Sequence, residues 1–272
     1  MKHAHVNWKI GAVSYLNTRP LVYGLEREPS DWCLSFDLPS RLAKQLADGL
    51  LDVALIPSIE VFQNPEYTVV SNACIACHGP VWSVKLMSRV EIPKIRTLAL
   101  DEGSRTSAAL VRILLEKQHG LRPELRPLPI DEPWQSADAD AVLIIGDRAM
   151  NPRHDKQFQL EIDLGQWWHE LTGAPFVFAM WAARGGIAAD QLSVIDDRLS
   201  GSRDAGMAAS DEIACREAES YGLSLQQGRD YFQKYLHFTL GVAERQALSR
   251  FRKLAVDMGL APSNMELQYH DC

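Results

Sequence analysis

Short apolar runs alternate with amphipathic stretches along much of the chain. The runs at residues 8–16 (WKIGAVSYL), 51–57 (LDVALIP), 96–101 (RTLALD) and 141–147 (AVLIIGD) predict buried strands, and VWSVKLMSR at 81–89 predicts an alternating one. Between them, residues 18–26 read as a turn into a helix with Pro20 at an early helical position. Residues 38–49 form a helical pattern stopped at Gly49, and residues 103–120 a longer one closed by Gly120. SIEVFQN at 58–64 starts with a serine suited to capping a helix. After PFVFAMWAAR at 175–184 the pattern changes, and residues 191–222 and 248–259 are helical by periodicity with almost no strand signal. Strand, turn, helix, strand is the order of an α/β protein with mostly parallel sheets.

With 272 residues, 46% hydrophobic, the chain is long enough for one large domain or two lobes. No run approaches the ~20 apolar residues of a membrane span, and the first residues carry no apolar export core, so a cytoplasmic location is expected. A net charge of -7 disfavours nucleic acid and anionic membranes as partners, so an anionic ligand must be met by a local pocket.

Cys74-x-x-Cys77-His78 has the spacing that attaches a c-type haem, but that attachment occurs outside the cytoplasm. Zinc would want two further ligands at sensible spacing, and no second pair is present; five scattered cysteines also make a poor disulfide framework. The two thiols are therefore expected in a strand or loop, and neither a cofactor nor a metal is expected.

Three segments run from an apolar strand into a turn of small polar residues and then into a helix: AVSYLNT, LIPSIE and LDEGSRTSAAL. In open α/β sheets such turns gather at the carboxyl ends of strands, where helix N-termini bind anions. Ser14, Ser58, Ser104 and Thr106 are each equally good as caps or turn residues. The third turn is the most specific, because Arg105 can grip a carboxylate with two parallel hydrogen bonds. Arg19 is as readily a solvated arginine, and His78 a surface histidine. No Walker loop, G-x-S-x-G, H-E-x-x-H or dinucleotide fingerprint occurs. From the residues alone the chain is a two-lobed α/β protein for a small carboxylate, enzyme or binding protein.

GAVSYLNTRPL, GLLDVALIPSIEVF, CHGPVWSVKL, LDEGSRTSAALVRILL, AVLIIGDRAM and LTGAPFVFAMWAAR, in this order, resemble the chorismate dehydratases of the futalosine route to menaquinone, from about Ile10 onward. The resemblance implies a type II periplasmic-binding-protein-like fold of two α/β lobes around a cleft. Residues 1–88 and 185–272 would make the first lobe and 89–184 the second, with crossings near 83–89 and 178–184. It implies loss of water from chorismate to give 3-[(1-carboxyvinyl)oxy]benzoate, with Asn17 and Ser83 directly involved. Ser14 and Ser58 would add first-lobe contacts, and Ser104, Arg105, Thr106 and Ser107 would cradle a carboxylate. No side chain among these is an evident base, so the substrate's own enolpyruvyl carboxylate is the expected proton acceptor. The related 1,4-dihydroxy-6-naphthoate synthases open with a CPNDTF-like motif where this chain has SYLNTRPL. A non-catalytic binder of aromatic carboxylates is the alternative of another class. The C-terminal helical region is expected to pack against the first lobe, and the oligomeric state is left open.

Overall fold

The computed structural model describes residues 7–25, 32–150 and 157–270. Glu26, Cys272 and the first six residues, on which some sequence expectations fall, lie outside that description. The chain first lays down β1 (Trp8–Val13), β2 (Trp32–Asp37), β3 (Val53–Pro57) and β4 (Thr68–Cys77). It then builds a second sheet from β5 (Val84–Ser88), β6 (Thr97–Asp101), β7 (Glu124–Leu128), β8 (Ala141–Ile145) and β9 (Leu160–Asp163). It returns to the first sheet with β10 (Phe176–Ala183), β11 (His237–Thr239) and β12 (Gln268–Tyr269). The first sheet is ordered β11-β4-β10-β3-β1-β2 with β12 also on β4, and the second β7-β6-β8-β5-β9.

Helices fill the crossovers and the end of the chain: α1 (Pro39–Ala47), α2 (Ser58–Val61), α3 (Thr106–His119), α4 (Asp147–Met150) and α5 (Leu164–Thr172), then α6 (Ala189–Ala208), α7 (Ser210–Glu217), α8 (Leu225–Asp230) and α9 (Val242–Asp257). Gly120 and Gly173 end α3 and α5 in the left-handed conformation that glycine adopts without a Cβ clash. Where residues 18–26 are expected to turn into a helix, the chain forms instead a tight 3-10 segment, Leu16–Val22, with Pro20 inside it.

Strand membership moves the lobe boundaries from the expected ones. Val84–Ser88 pairs with β8 and β9 and so belongs wholly to the second sheet. Phe176–Ala183 lies between β3 and β4, buried along its whole length, and belongs to the first. The passages between sheets thus fall at residues 78–83 and 173–175, ahead of the expected 88/89 and 184/185 divisions. The expected boundaries cut behind these strands, whereas the hydrogen-bonded ladder takes each strand whole.

Cys74 and Cys77 lie in β4, fully buried and unpaired. Three residues apart on a strand, they point to opposite faces. Burial pushes both thiols up, Cys77 to about 12, so neither is a thiolate near neutrality. Among the described residues, no helix is long and apolar enough to cross a membrane.

Candidate active site

The carboxyl ends of β1, β3, β6 and β8 open onto one cleft of about 510 Å³, part of it continuous with solvent. Its apolar lining includes Val13, Pro57, Ile75, Val81, Ile145 and Phe178; its polar lining is Tyr15, Asn17, Ser83, Ser104, Arg105, Thr106 and Ser107. Among the described residues, Arg105 is the only charged side chain in that lining. A cleft lined by hydroxyl, amide and guanidinium donors in a chain of net charge -7 fits a small anion.

Six of the residues singled out from the sequence therefore meet in the cleft. Asn17, on the 3-10 segment after β1, is 9% exposed, and its Oδ1 accepts a 3.3 Å hydrogen bond from the Thr18 hydroxyl. Ser83, at the second-lobe end of the crossing, is buried, and its hydroxyl donates to the Val81 carbonyl at a long 3.5 Å. Ser104, Arg105, Thr106 and Ser107 lead into α3. No side chain caps this helix, so the N–H groups of its first turn face the cleft mouth unclaimed by a cap. The Ser104 Oγ is buried without a partner, a polar atom that a ligand would satisfy.

Two expected contacts do not reach the cleft. Ser14 is exposed, and its backbone N–H donates to the Asp37 carbonyl. Side-chain alternation leaving β1 turns Val13 and Tyr15 inward and Ser14 outward. Ser58 is fully buried behind the wall. It donates to the Val177 carbonyl at 2.8 Å, where β10 slips register, and approaches Thr106 Oγ1 at 3.4 Å. Nor does it cap α2: Pro57 holds that position and Ser58 is the first helical residue.

Two tyrosines complete the site without having been singled out. Tyr15 sits where its ring meets the second lobe: a Cβ on Gly146, whose φ is +66°, would fall 2.9 Å from that ring, and one on Gly103 3.0 Å from its hydroxyl. Only glycine satisfies both the left-handed turn and this close approach. Tyr231 belongs to a π-helical turn (Tyr231–Tyr235) in the C-terminal region, and its ring packs edge-on against Trp82 at 5.6 Å. Both tyrosine hydroxyls are buried and make no hydrogen bond of good geometry, and burial pushes both well above the usual phenol range. Ser83 and Asn17 stand close enough to Tyr231 to oppose that shift. Neither tyrosine is an anion at neutral pH; both are hydroxyl donors in waiting.

The Ser83 turn is held in an uncommon backbone conformation. Trp82 has φ +66°, the one non-glycine residue with positive φ among those described. Asp163 fixes it: its carboxylate accepts from the Val81 N–H at 3.0 Å and the Trp82 N–H at 2.6 Å while capping α5 through Gln166 N–H at 3.0 Å. Burial raises the Asp163 carboxyl, and the donated N–H bonds work against that rise. On the opposite wall the Asp101 carboxylate, with no side-chain exposure, is clamped by Arg148 and accepts from Gly103 N–H at 2.9 Å, shaping the turn that presents Ser104.

The lobes are stitched together across the cleft. Leu16 N–H donates to Asp147 Oδ1 at 3.1 Å, Ile59 N–H donates to Thr106 Oγ1 at 3.3 Å, and Arg105 pairs with Glu60 at 2.9 Å. Burial pushes the Asp147 carboxyl up to about 6 against the Leu16 N–H and the Arg19 charge.

Compared with known proteins, residues 8–257 match a family described as menaquinone biosynthesis. The chain belongs to this family. Its relatives include a chorismate dehydratase of Thermus thermophilus, 29% identical over 64% of this chain and 69% of that protein. A chorismate dehydratase of Campylobacter jejuni is 25% identical over 92% of this chain and 99% of its own. Among solved structures, protein AF1704 of Archaeoglobus fulgidus superposes with a TM-score of 0.80 at 17% identity, covering 95% of this chain and 99% of that one. The periplasmic aliphatic sulphonate binding protein SsuA of Escherichia coli gives 0.58 at 14% identity over 95% and 94%. The fold of this family member is thus the expected periplasmic-binding-protein-like pair of lobes.

Proposed function

We propose that the protein is a hydro-lyase that converts chorismate to 3-[(1-carboxyvinyl)oxy]benzoate in menaquinone biosynthesis. The observation that carries this reading is the lining of the cleft. Hydroxyl and amide groups from the first lobe face the uncapped start of α3 from the second, and among the described residues the lining contains no carboxylate, imidazole or amine. Two family relatives named chorismate dehydratase support the same substrate.

Such a lining suits this elimination. The hydrogen on the ether-bearing ring carbon is conjugated through a ring double bond to the ring carboxylate. Breaking that C–H bond sends its electron pair toward the carboxylate as an extended enolate; the pair then returns to expel the neighbouring hydroxyl, and with the proton it departs as water. The ring becomes aromatic. The protein's task is to hold two carboxylates, stabilise charge growing on one, and orient the leaving hydroxyl. The α3 N-terminus with Ser104, Thr106, Ser107 and Arg105 receives a carboxylate. Asn17 and Ser83, backed by the Tyr231 hydroxyl, attend the reacting edge of the ring. With no carboxylate, imidazole or amine in that lining, the substrate's enolpyruvyl carboxylate takes the proton and passes it to the departing hydroxyl.

The test is incubation of the purified protein with chorismate alone, followed by chromatography and mass spectrometry. A product lighter by one water with the spectrum of a 3-substituted benzoate is expected; chorismate recovered intact while it still binds would make the protein a carboxylate-binding relative instead.

A further inference from the structure

Outside the cleft, one side-chain cluster remains without a role. His78 follows β4, His237 opens β11, and Glu244 lies in the first turn of α9. His78 Nε2 is 2.7 Å and His237 Nε2 3.8 Å from the same oxygen, Oε1 of Glu244. The imidazoles lie tilted at 42° to one another with centroids 4.3 Å apart, and all three potential donor atoms lie within 4.8 Å of one another. The Glu244 side chain is only 4% exposed, and its other oxygen, Oε2, accepts from Gly241 N–H at 2.9 Å. One oxygen is therefore fixed by the helix start and the other is presented to both rings.

We propose that His78, His237 and Glu244 bind a zinc-class divalent cation through Nε2, Nε2 and Oε1. Two imidazoles and one carboxylate are the donor set of a site with three protein ligands and one position for water, and they favour zinc, cobalt, nickel or copper over the oxygen-seeking magnesium and calcium. Ligand bonds of about 2.0–2.1 Å in a tetrahedron place donors about 3.3 Å apart, between the 2.7 and 3.8 Å now seen. The side chains of His78 and His237 are 54% and 38% exposed, which leaves both rings room to rotate and gives water access to the fourth position. The Glu244 carboxylate, already oriented by its hydrogen bond to Gly241, needs little reordering. The Arg203 guanidinium, close to His237 and bonded to Asn72, Phe238 and Thr239, opposes the cation's charge and sets an upper limit on affinity.

No spacing in the sequence announces these ligands, because they come from three separate elements. A cation there would join two segments that lead into the cleft. His78 begins the crossing that ends at Ser83, and His237 follows the turn that carries Tyr231. The site does not depend on the reaction assigned to the cleft, and its test reads binding rather than turnover.

The experiment is titration of the full chain with Zn²⁺ by calorimetry, and with Co²⁺ by visible absorption, alongside His78→Ala, His237→Ala and Glu244→Gln variants. One equivalent of metal with a tetrahedral Co²⁺ spectrum is expected, weakened by roughly tenfold or more in each variant. His78 is exposed, so its replacement does not threaten folding; a Zn²⁺-dependent rise in thermal midpoint should vanish in His78→Ala. Absence of stoichiometric binding, or binding unchanged in both histidine variants, would overturn the proposal.

Discussion

Arg105 Nη1 lies 2.9 Å from Glu60 Oε2, joining the start of α3 in one lobe to α2 in the other. The arginine expected to grip a substrate carboxylate thus already holds a protein carboxylate. A bound dianion must either take Arg105 from Glu60 or share it, and a charge-assisted hydrogen bond is worth about 1.5–3 kcal/mol. Arg105→Ala should accordingly raise KM for chorismate roughly 10- to 100-fold with a smaller change in kcat. Glu60→Gln should lower KM, because it releases the guanidinium and removes a like charge. Steady-state kinetics of both variants decide the matter. If Glu60→Gln raises KM as much as Arg105→Ala, the pair acts as a latch for the closed cleft rather than as a competitor for substrate.

Tyr231 and Ser83 make a second relationship with opposite consequences for stability and activity. The buried Tyr231 hydroxyl makes no good hydrogen bond, so removing it relieves a desolvation cost. Tyr231→Phe should raise the thermal midpoint by a few degrees or leave it unchanged. If the hydroxyl engages the departing group together with Ser83, the same change lowers kcat, and Ser83→Ala lowers it by about 10²–10³-fold with little effect on KM. A rise in KM at constant kcat for Ser83→Ala would assign that serine to ground-state binding alone.

Local pattern reveals the strand-turn-helix units at β1, β3 and β6, and with them Asn17 and residues 104–107, whereas Ser83 enters only through the family resemblance. Parity was harder to read. Serine is the residue type a ligand wants, but the alternation of β1 turns Ser14 to solvent and gives its place to Tyr15. Ser58 is claimed instead by the Val177 carbonyl, freed by an irregularity in a strand far along the chain. Tyr231 could not be found at all by periodicity. It lies in a region expected only to pack on the first lobe, and a short π-helical turn aims it at Ser83. Contacts between distant segments leave no trace in the spacing of either one.

Asp163 holds the turn that sets Ser83. Its carboxylate takes backbone N–H groups of Val81, Trp82 and Gln166. Asp163→Ala leaves them without their acceptor at a buried site and lets Trp82 leave its left-handed conformation, at a cost of about 2–4 kcal/mol. Chemical denaturation should show that loss, and kcat should fall with it; Asp163→Asn, which retains acceptor oxygen, should recover part of both. A loss of stability with kcat untouched would mean that Ser83 does not depend on this turn for its position.

Arg148 and Asp101 form a buried pair behind the second-lobe cradle, with Asp101 shielded entirely from solvent. Burial raises the Asp101 carboxyl and Arg148 is the main force pulling it back. Arg148→Met deletes the partner and strands the carboxylate, which costs about 3–5 kcal/mol when the charge cannot be relieved. The double variant Arg148→Met/Asp101→Asn should regain much of that stability. Urea denaturation of the single and double variants measures the coupling, and equal stability of the two would show Asp101 to be hydrated after all.

Asp147 gives the cleft a stability that depends on pH in an unusual direction. Its carboxyl is pushed up to about 6 by burial, above the ordinary value of 3.8 that it has in the unfolded chain. Between about pH 4 and pH 6 the folded protein keeps a proton that the unfolded chain has lost, so this group's contribution falls as pH rises through that window and is constant above it. At neutral pH the ionised carboxylate is a burden on the order of 1–3 kcal/mol, since one pKa step is about 1.4 kcal/mol. Asp147→Asn removes the charge and keeps an oxygen for the Leu16 N–H, which now reaches Oδ1 at 3.1 Å. The variant should therefore match the parent protein near pH 4 and exceed it in stability at pH 7.5 and above, with urea midpoints at the two pH values as the measurement. Equal midpoints at both would mean that water reaches the carboxylate through the cleft; a variant less stable at high pH would mean that the ionised group earns more from Leu16 and Arg19 than burial takes away.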